Sequence, residues 1–307
     1  MQSQHGKLYL TGAFSLAGTS VITGYLLSAK LPAFLIMLIS MGIVIVCLLP
    51  LYAGRAIQTI RRLSKHDWVM LFLQALFGIF LFRLFLLFGV TLTSTAEAGL
   101  LTGATPAITA LMAYFILHER LSGTTVLGIC TTMGGVILLQ GNNLYAVRFS
   151  SDHLWGNLLV LCAASSESIF NILSRKHRAG NGNHAPSPIH PMVQTLLVCA
   201  FVFFLSIVPA CLAHPFSGLR QLGVVEWLAL LWYGLVVTAV AFGCFYAGAV
   251  RCNAYTIAAF SGIMPLTAVL LSVIVLREQT RVLHWLGAAL IILGILFIGQ
   301  KNRRVSC

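Results

Sequence analysis

"TSTAEAGLLTGATPAITALMAYFILHERL" at residues 93–121 and "CNAYTIAAFSGIMPLTAVLLSVIVLREQT" at 252–280 superimpose without a gap at a shift of 159 residues. Inside them Gly103 meets Gly262, Pro106 meets Pro265 and Glu119 meets Glu278. Beyond them the same shift pairs Trp68 with Trp227, Gly89 with Gly248, Gly128 with Gly287 and Gly135 with Gly294. Unrelated apolar helices match Leu with Leu, but seldom match Trp, Pro and Glu at one spacing. The chain therefore carries an internal repeat. The first helix of each half also corresponds, at a shift of 146, where "AGTSVITGYLLSAK" at 17–30 resembles "AASSESIFNILSRK" at 163–176.

The solvent of this repeat is lipid. Of 307 residues, 59% are hydrophobic and 8% charged, and the mean hydropathy is +0.93, which water alone cannot keep monomeric. A span needs about 20 apolar residues, and ten such stretches are expected near 8–28, 32–53, 67–90, 94–117, 121–140, 153–174, 192–213, 226–250, 253–276 and 282–299. The fold class is an all-α membrane protein of ten transmembrane helices in two five-helix repeats, residues 1–145 and 146–307. Five is odd, so the second repeat enters the bilayer from the opposite side. Such inverted repeats give two nearly equivalent packings around a midplane site, the architecture of alternating access. The one long connection, "RKHRAGNGNHAPSPIH" at 175–190, has the composition of a flexible linker. The polar "MQSQHGK" start lacks an A-x-A cleavage pattern, so the first span is expected to stay.

The net charge of +12 does not point to nucleic acid, because the basic residues are scattered over separate loops. They orient the chain instead. With the N-terminus inside, thirteen Lys and Arg fall on the cytoplasmic side and five outside, which places both termini in the cytoplasm of a cell (inner) membrane protein. The eight cysteines form no C-x-x-C pair, and His177, His184 and His190 share no helical spacing, so no metal or cofactor is expected. G-x-S-x-G, H-E-x-x-H and P-loop motifs are missing, which argues against an enzyme or an ATP-driven pump in this chain.

With five plus five spans, a G-x-x-P in the fourth and ninth, and the "HERL" and "REQT" acids that close them, the chain resembles the EamA-type permeases of the drug/metabolite transporter superfamily over essentially its whole length. The resemblance implies secondary transport, in bacteria commonly export of amino acids, related metabolites or toxic compounds, through a central cavity between the halves.

Polar residues inside the spans are the candidates for that work. Glu167 lies well within the sixth span beside Ser165, Ser166, Ser168 and Asn171, where a carboxylate is disfavoured unless it is protonated, paired or facing water. It is the expected proton-coupling or substrate residue, against the plainer reading of helix glue. Its repeat counterpart at the 146 shift is Val21, so the acid belongs to one half only. Glu97 follows Ser94 as S-x-x-E, a capping box, and hairpin packing sets it at the depth of Arg83, an expected ion pair that also suits a gate. Phe82, Phe85, Phe170 and Tyr246 are candidate cavity aromatics, or ordinary packing. Gly103, Pro106, Gly262 and Pro265 suit close helix contact with a kink at each proline, and Glu119 and Glu278 suit a structural task at span ends. The expected partners are the lipid bilayer, a small-molecule substrate and protons. A zwitterionic, amino-acid-like solute fits a cavity holding one acid and one Arg. An exporter of cationic drugs and an uncoupled facilitator remain as alternatives.

Overall fold

The structure, a computed structural model, describes residues 2–28, 30–92, 102, 105–118, 122–140, 151–179, 189–212, 219, 222–276 and 282–300. Its helices are α1 (Gln2–Gly18), α2 (Ser20–Ser28), α3 (Ala33–Ile60), α4 (Lys65–Ala75), α5 (Phe82–Leu92), α6 (Thr105–Leu117), α7 (Gly123–Gln140), α8 (Ser151–Ala179), α9 (Pro191–Leu212), α10 (Val224–Leu231), α11 (Ala241–Ala249), α12 (Ala254–Ser261), α13 (Ile263–Leu276) and α14 (Val282–Gln300). Two π-helical segments, Leu76–Leu81 and Trp232–Val240, join α4 to α5 and α10 to α11. The chain is all-helical over the described residues. Among the described residues six stretches are long and apolar enough to cross a membrane: Gln4–Ser28, Ala33–Ile60, Lys65–Gly89, Leu154–Arg175, Pro191–Leu212 and Val224–Ala249. Shorter apolar helices cover Thr105–Ile116, Ala254–Thr267 and Trp285–Gly294.

Helices dominate because a backbone in hydrocarbon has no water to bond, and a helix satisfies its own amides. Apolar side chains fill the interior and also cover the outside, and polar ones are buried among them. Val46, Leu51, Phe115, Phe204 and Leu212 are exposed on the outside, while Ser40, Gln74, Arg83, Thr109, Asn171, Gln194 and Thr238 are buried. Pro50 and Pro209 sit within helices, as neighbouring helices in a membrane permit.

Local features recur at the spacing of the repeat. The Asp67 carboxylate accepts from the Ser64 N–H at 2.9 Å, and the Glu226 carboxylate accepts from the Gly223 N–H at 2.7 Å, each closing the start of a helix. Both residues of the pair are 159 apart, and the π segments that follow each cap overlap at the same shift. Close glycine contacts recur as well. At Gly135 a Cβ would stand 2.6 Å from the Gly287 carbonyl oxygen, and at Gly294 one would stand 2.5 Å from the Gly128 carbonyl oxygen. These pairings run α7 and α14 antiparallel.

The same contacts correct the register of the first helices. Gly89 lies against Val160 and the Gly156 carbonyl, and Gly248 lies against Leu10 and the Gly6 carbonyl. Gly18 packs on the Met264 carbonyl, and the Ser168 hydroxyl lies 3.3 Å from the Thr105 carbonyl. Each comparison relates α8 to α1 by 150 residues, one helical turn from the 146 read in the sequence. The counterpart of Glu167 is thus Ala17 and not Val21. Both are apolar, so the acid still belongs to one half.

The stretch expected to form the ninth span breaks at Gly262, and Pro265 falls in the first turn of α13, where its missing N–H leaves no bond unmade. Pro106 likewise occupies the first turn of α6. Helix α8 continues to Ala179, into the stretch read as linker, while residues 180–188 lie outside the described residues. Chain ends and turns gather by side: Gly6 meets Arg251 and Cys252, and Tyr52 packs on His190 at a centroid distance of 5.4 Å, whereas Lys30 pairs with Glu226.

Candidate functional site

Arg83 enters the interior from the first turn of α5, just after the π segment Leu76–Leu81, and is 5% exposed. Its guanidinium carbon lies 4.3 Å from the centroid of the Tyr233 ring, and Nη2 donates to Thr238 Oγ1 at 3.0 Å. Both partners belong to the second π segment. There the Thr238 hydroxyl donates to the Tyr233 carbonyl at 2.8 Å, five residues back. That bond spends the hydroxyl proton and turns the oxygen's lone pairs toward Arg83. Nη1 has no hydrogen-bond partner among the described residues. The buried amides of Gln194 and Gln74 join α9 to α4, with Nε2 of Gln194 donating to Oε1 of Gln74 at 2.7 Å.

Glu167 stands in a second cluster. Its Oε2 accepts from Thr105 Oγ1 at 3.3 Å, and the adjacent Ser168 Oγ accepts from Thr109 at 3.1 Å while lying 2.9 Å from the Ala164 carbonyl. The acid thus ties α8 to α6, and its partner is not one of its own neighbours Ser166 or Asn171. Ser166 is buried. Asn171 is 1% exposed, yet neither Oδ1 nor Nδ2 has a partner among the described residues, and the same holds for Ser174 Oγ. Both lie on the Glu167 side of α8, one and two turns toward its C-terminal end.

The expected aromatics divide. Phe170 stacks on Phe245 at 4.9 Å and meets Phe242 and Tyr246 at 5.5 and 6.0 Å, with Phe14 reaching Phe245 at 6.0 Å. Gly78 makes room for the Phe170 ring. Phe82 and Phe85 are half-buried and take part in none of the described ring contacts. Because Gly78 faces Phe170 and Gly89 faces Val160, Arg83 lies at a level between them, with the aromatic cluster on the Phe170 side of it.

Among the described residues no hydrogen bond or ion pair joins Arg83 to Glu167, and each has its own polar partners. Glu97, Gly103, Glu119 and Glu278 lie outside the described residues. Tyr233, Thr238, Thr105, Thr109 and the Gln74–Gln194 pair were missed. The two glutamines carried a readable signal, since a buried amide in a span is rare and costly without a partner. The others are ordinary span residues, and only packing reveals them.

The EamA-like transporter family model matches residues 7–140 and 154–300. The chain is 29% identical over 303 residues to an uncharacterized transporter, YetK, of Bacillus subtilis, covering 96% of this chain and 87% of that one. It is 25% identical over 199 residues to a probable amino-acid metabolite efflux pump of Escherichia coli, covering 64% and 65%. A solved structure titled "Crystal structure of protein" superimposes with a TM-score of 0.78 at 22% identity, covering 98% of this chain and 99% of that one, a likeness of fold.

Proposed function

This chain belongs to the EamA-like transporter family, and we propose that it is a proton-coupled exporter of small polar metabolites, amino acids or related compounds, working by alternating access. The observation that carries the reading is the reciprocal packing of Gly135 on Gly287 and Gly294 on Gly128. Equivalent helices that run antiparallel are what two inverted five-span halves would produce, which supports a reading of ten spans; the charge bias of the loops supports cytoplasmic termini. An inverted pair has two related packings, so a site between the halves can open to either side. The aromatic cluster of Phe14, Phe170, Phe242, Phe245 and Tyr246 supports a closed gate on one side of Arg83.

Coupling falls to Glu167. It is the acid within the apolar stretch Leu154–Arg175 of α8, held by a single threonine hydroxyl, and it stands at the head of a line of buried polar atoms on Asn171 and Ser174 that have no partner among the described residues. Buried polar atoms of this kind draw water. A hydrated line along α8 would carry protons between Glu167 and the end of the helix near Arg175.

The test compares metabolites in the medium of cells with and without the protein, alongside Glu167→Gln. Solutes that accumulate outside only with the wild-type chain, and depend on the proton gradient, support the reading. Export that survives both loss of the gradient and Glu167→Gln unchanged would favour an uncoupled facilitator, and solely lipophilic cations would favour a drug exporter.

A further inference from the structure

Resting on that transport reading, we infer that Arg83, set by Tyr233 and Thr238, is the receptor for a carboxylate group of the transported solute. An ionised side chain away from water costs several kcal/mol or so unless it is paired, and an Arg within a span is functional by default. Two of its needs are met. The Tyr233 ring covers one face of the guanidinium and Thr238 accepts one N–H, which together fix the plane. Neither supplies a negative charge. No acid pairs with Arg83 among the described residues, and Nη1 is buried without a partner.

The chemistry left over is specific. The unpartnered Nη1, beside an Nη2 that spends one of its N–H groups on Thr238, presents the end of a planar fork that matches a carboxylate's two oxygens. Thr238 cannot help bind the anion, because its proton is committed to the Tyr233 carbonyl. Arg83 is the one buried cation among the described residues, which balances a monoanion; a phosphate would ask for a second. Tyr233 and Thr238 can share this task because the π segment, with one more residue per turn than an α-helix, brings positions five apart to one side.

The test uses the purified full chain in lipid nanodiscs and follows thermal unfolding with benzoate and with benzamide, the same ring as an anion and as a neutral molecule. Benzoate is expected to raise Tm in the wild type at concentrations at least tenfold lower than benzamide. Arg83→Gln should abolish that preference, and Arg83→Lys should retain only part of it. If Arg83→Gln does not fold, Thr238→Val serves, and benzoate should then bind several-fold more weakly. Equal response to the two probes in the wild type overturns the proposal, as does a benzoate preference that persists in Arg83→Gln or is undiminished in Thr238→Val. Recovery of Arg83→Gln stability by a second change, Glu97→Gln, also overturns it, by making Glu97 the counter-charge. A wild-type chain that exports only solutes without a carboxylate sinks this inference and leaves transport standing. A benzoate preference with no export of any solute does the reverse.

Discussion

Gly135 lies so close to the carbonyl oxygen of Gly287 that a Cβ on it would stand 2.6 Å away. A Cβ on its neighbour Gly134 would meet nothing within 4 Å. The pair of adjacent glycines separates packing from propensity. Gly135→Ala should destabilise the chain by about 1–3 kcal/mol, the usual cost of overpacking, whereas Gly134→Ala should be neutral or stabilising by up to about 1 kcal/mol, since Ala is the better helix former. Thermal unfolding in detergent measures both, and equal effects would mean that α7 and α14 do not meet at these glycines.

Gly78 and Phe170 give a second test, at the aromatic cluster. No Cβ fits at Gly78 with the Phe170 ring in place. Gly78→Ala should therefore push the ring off Phe245 and impair export. Adding Phe170→Leu should restore part of the loss, because the smaller side chain vacates the space. Losses that simply add would show that the two residues do not touch in the working protein.

Topology follows from the sides on which turns gather. Gly6 packs against Arg251, and Tyr52 against His190, so the start of α1 lies beside the turn after α11, and the second half of α3 beside the start of α9. An accessible tag at position 184, and another after Cys307, should both be cytoplasmic. A tag found outside at either place contradicts five crossings per half.

Asn171 and Ser174 test the hydrated line. Replacing Asn171 with Leu removes both unpartnered polar atoms without touching Glu167, and gradient-driven transport should slow by about tenfold if one proton-transfer step is impaired, within the range such groups contribute. Exchange of solute at equal pH on the two sides should be nearly unaffected. Equal slowing of both modes would reduce Asn171 to a packing role.

The apolar helices were legible because hydrocarbon imposes a simple rule on residue type, and the 159-residue shift at which caps and glycine contacts recur was legible because Trp68, Pro106 and the paired glycines are uncommon enough to fix it. The first helices were misread by one turn for a physical reason. A slip of four residues on a helix keeps nearly the same face inward, so small and hydroxyl residues still match, and only contacts such as Gly18 on Met264 distinguish 150 from 146. Arg83 and Glu167 could be picked out as intramembrane charges. Their partners could not, since Tyr233 and Thr238 come together through a π segment that leaves no mark in the hydrophobic pattern, and Thr105 meets Glu167 across a gap of 62 residues. Phe170 and Tyr246 proved to be in the aromatic cluster while Phe82 and Phe85 did not, which periodicity alone had no means to separate.

The decisive measurement is gradient-driven accumulation in everted membrane vesicles incubated with a cell extract, with solutes inside identified by mass spectrometry. Wild-type vesicles with an imposed pH difference should concentrate at least one small polar solute, and Glu167→Gln should abolish that accumulation while solute exchange at equal pH continues, because glutamine mimics the protonated acid but releases no proton. Accumulation undiminished in Glu167→Gln would contradict coupling at this residue and reduce the acid to a tie between α8 and α6.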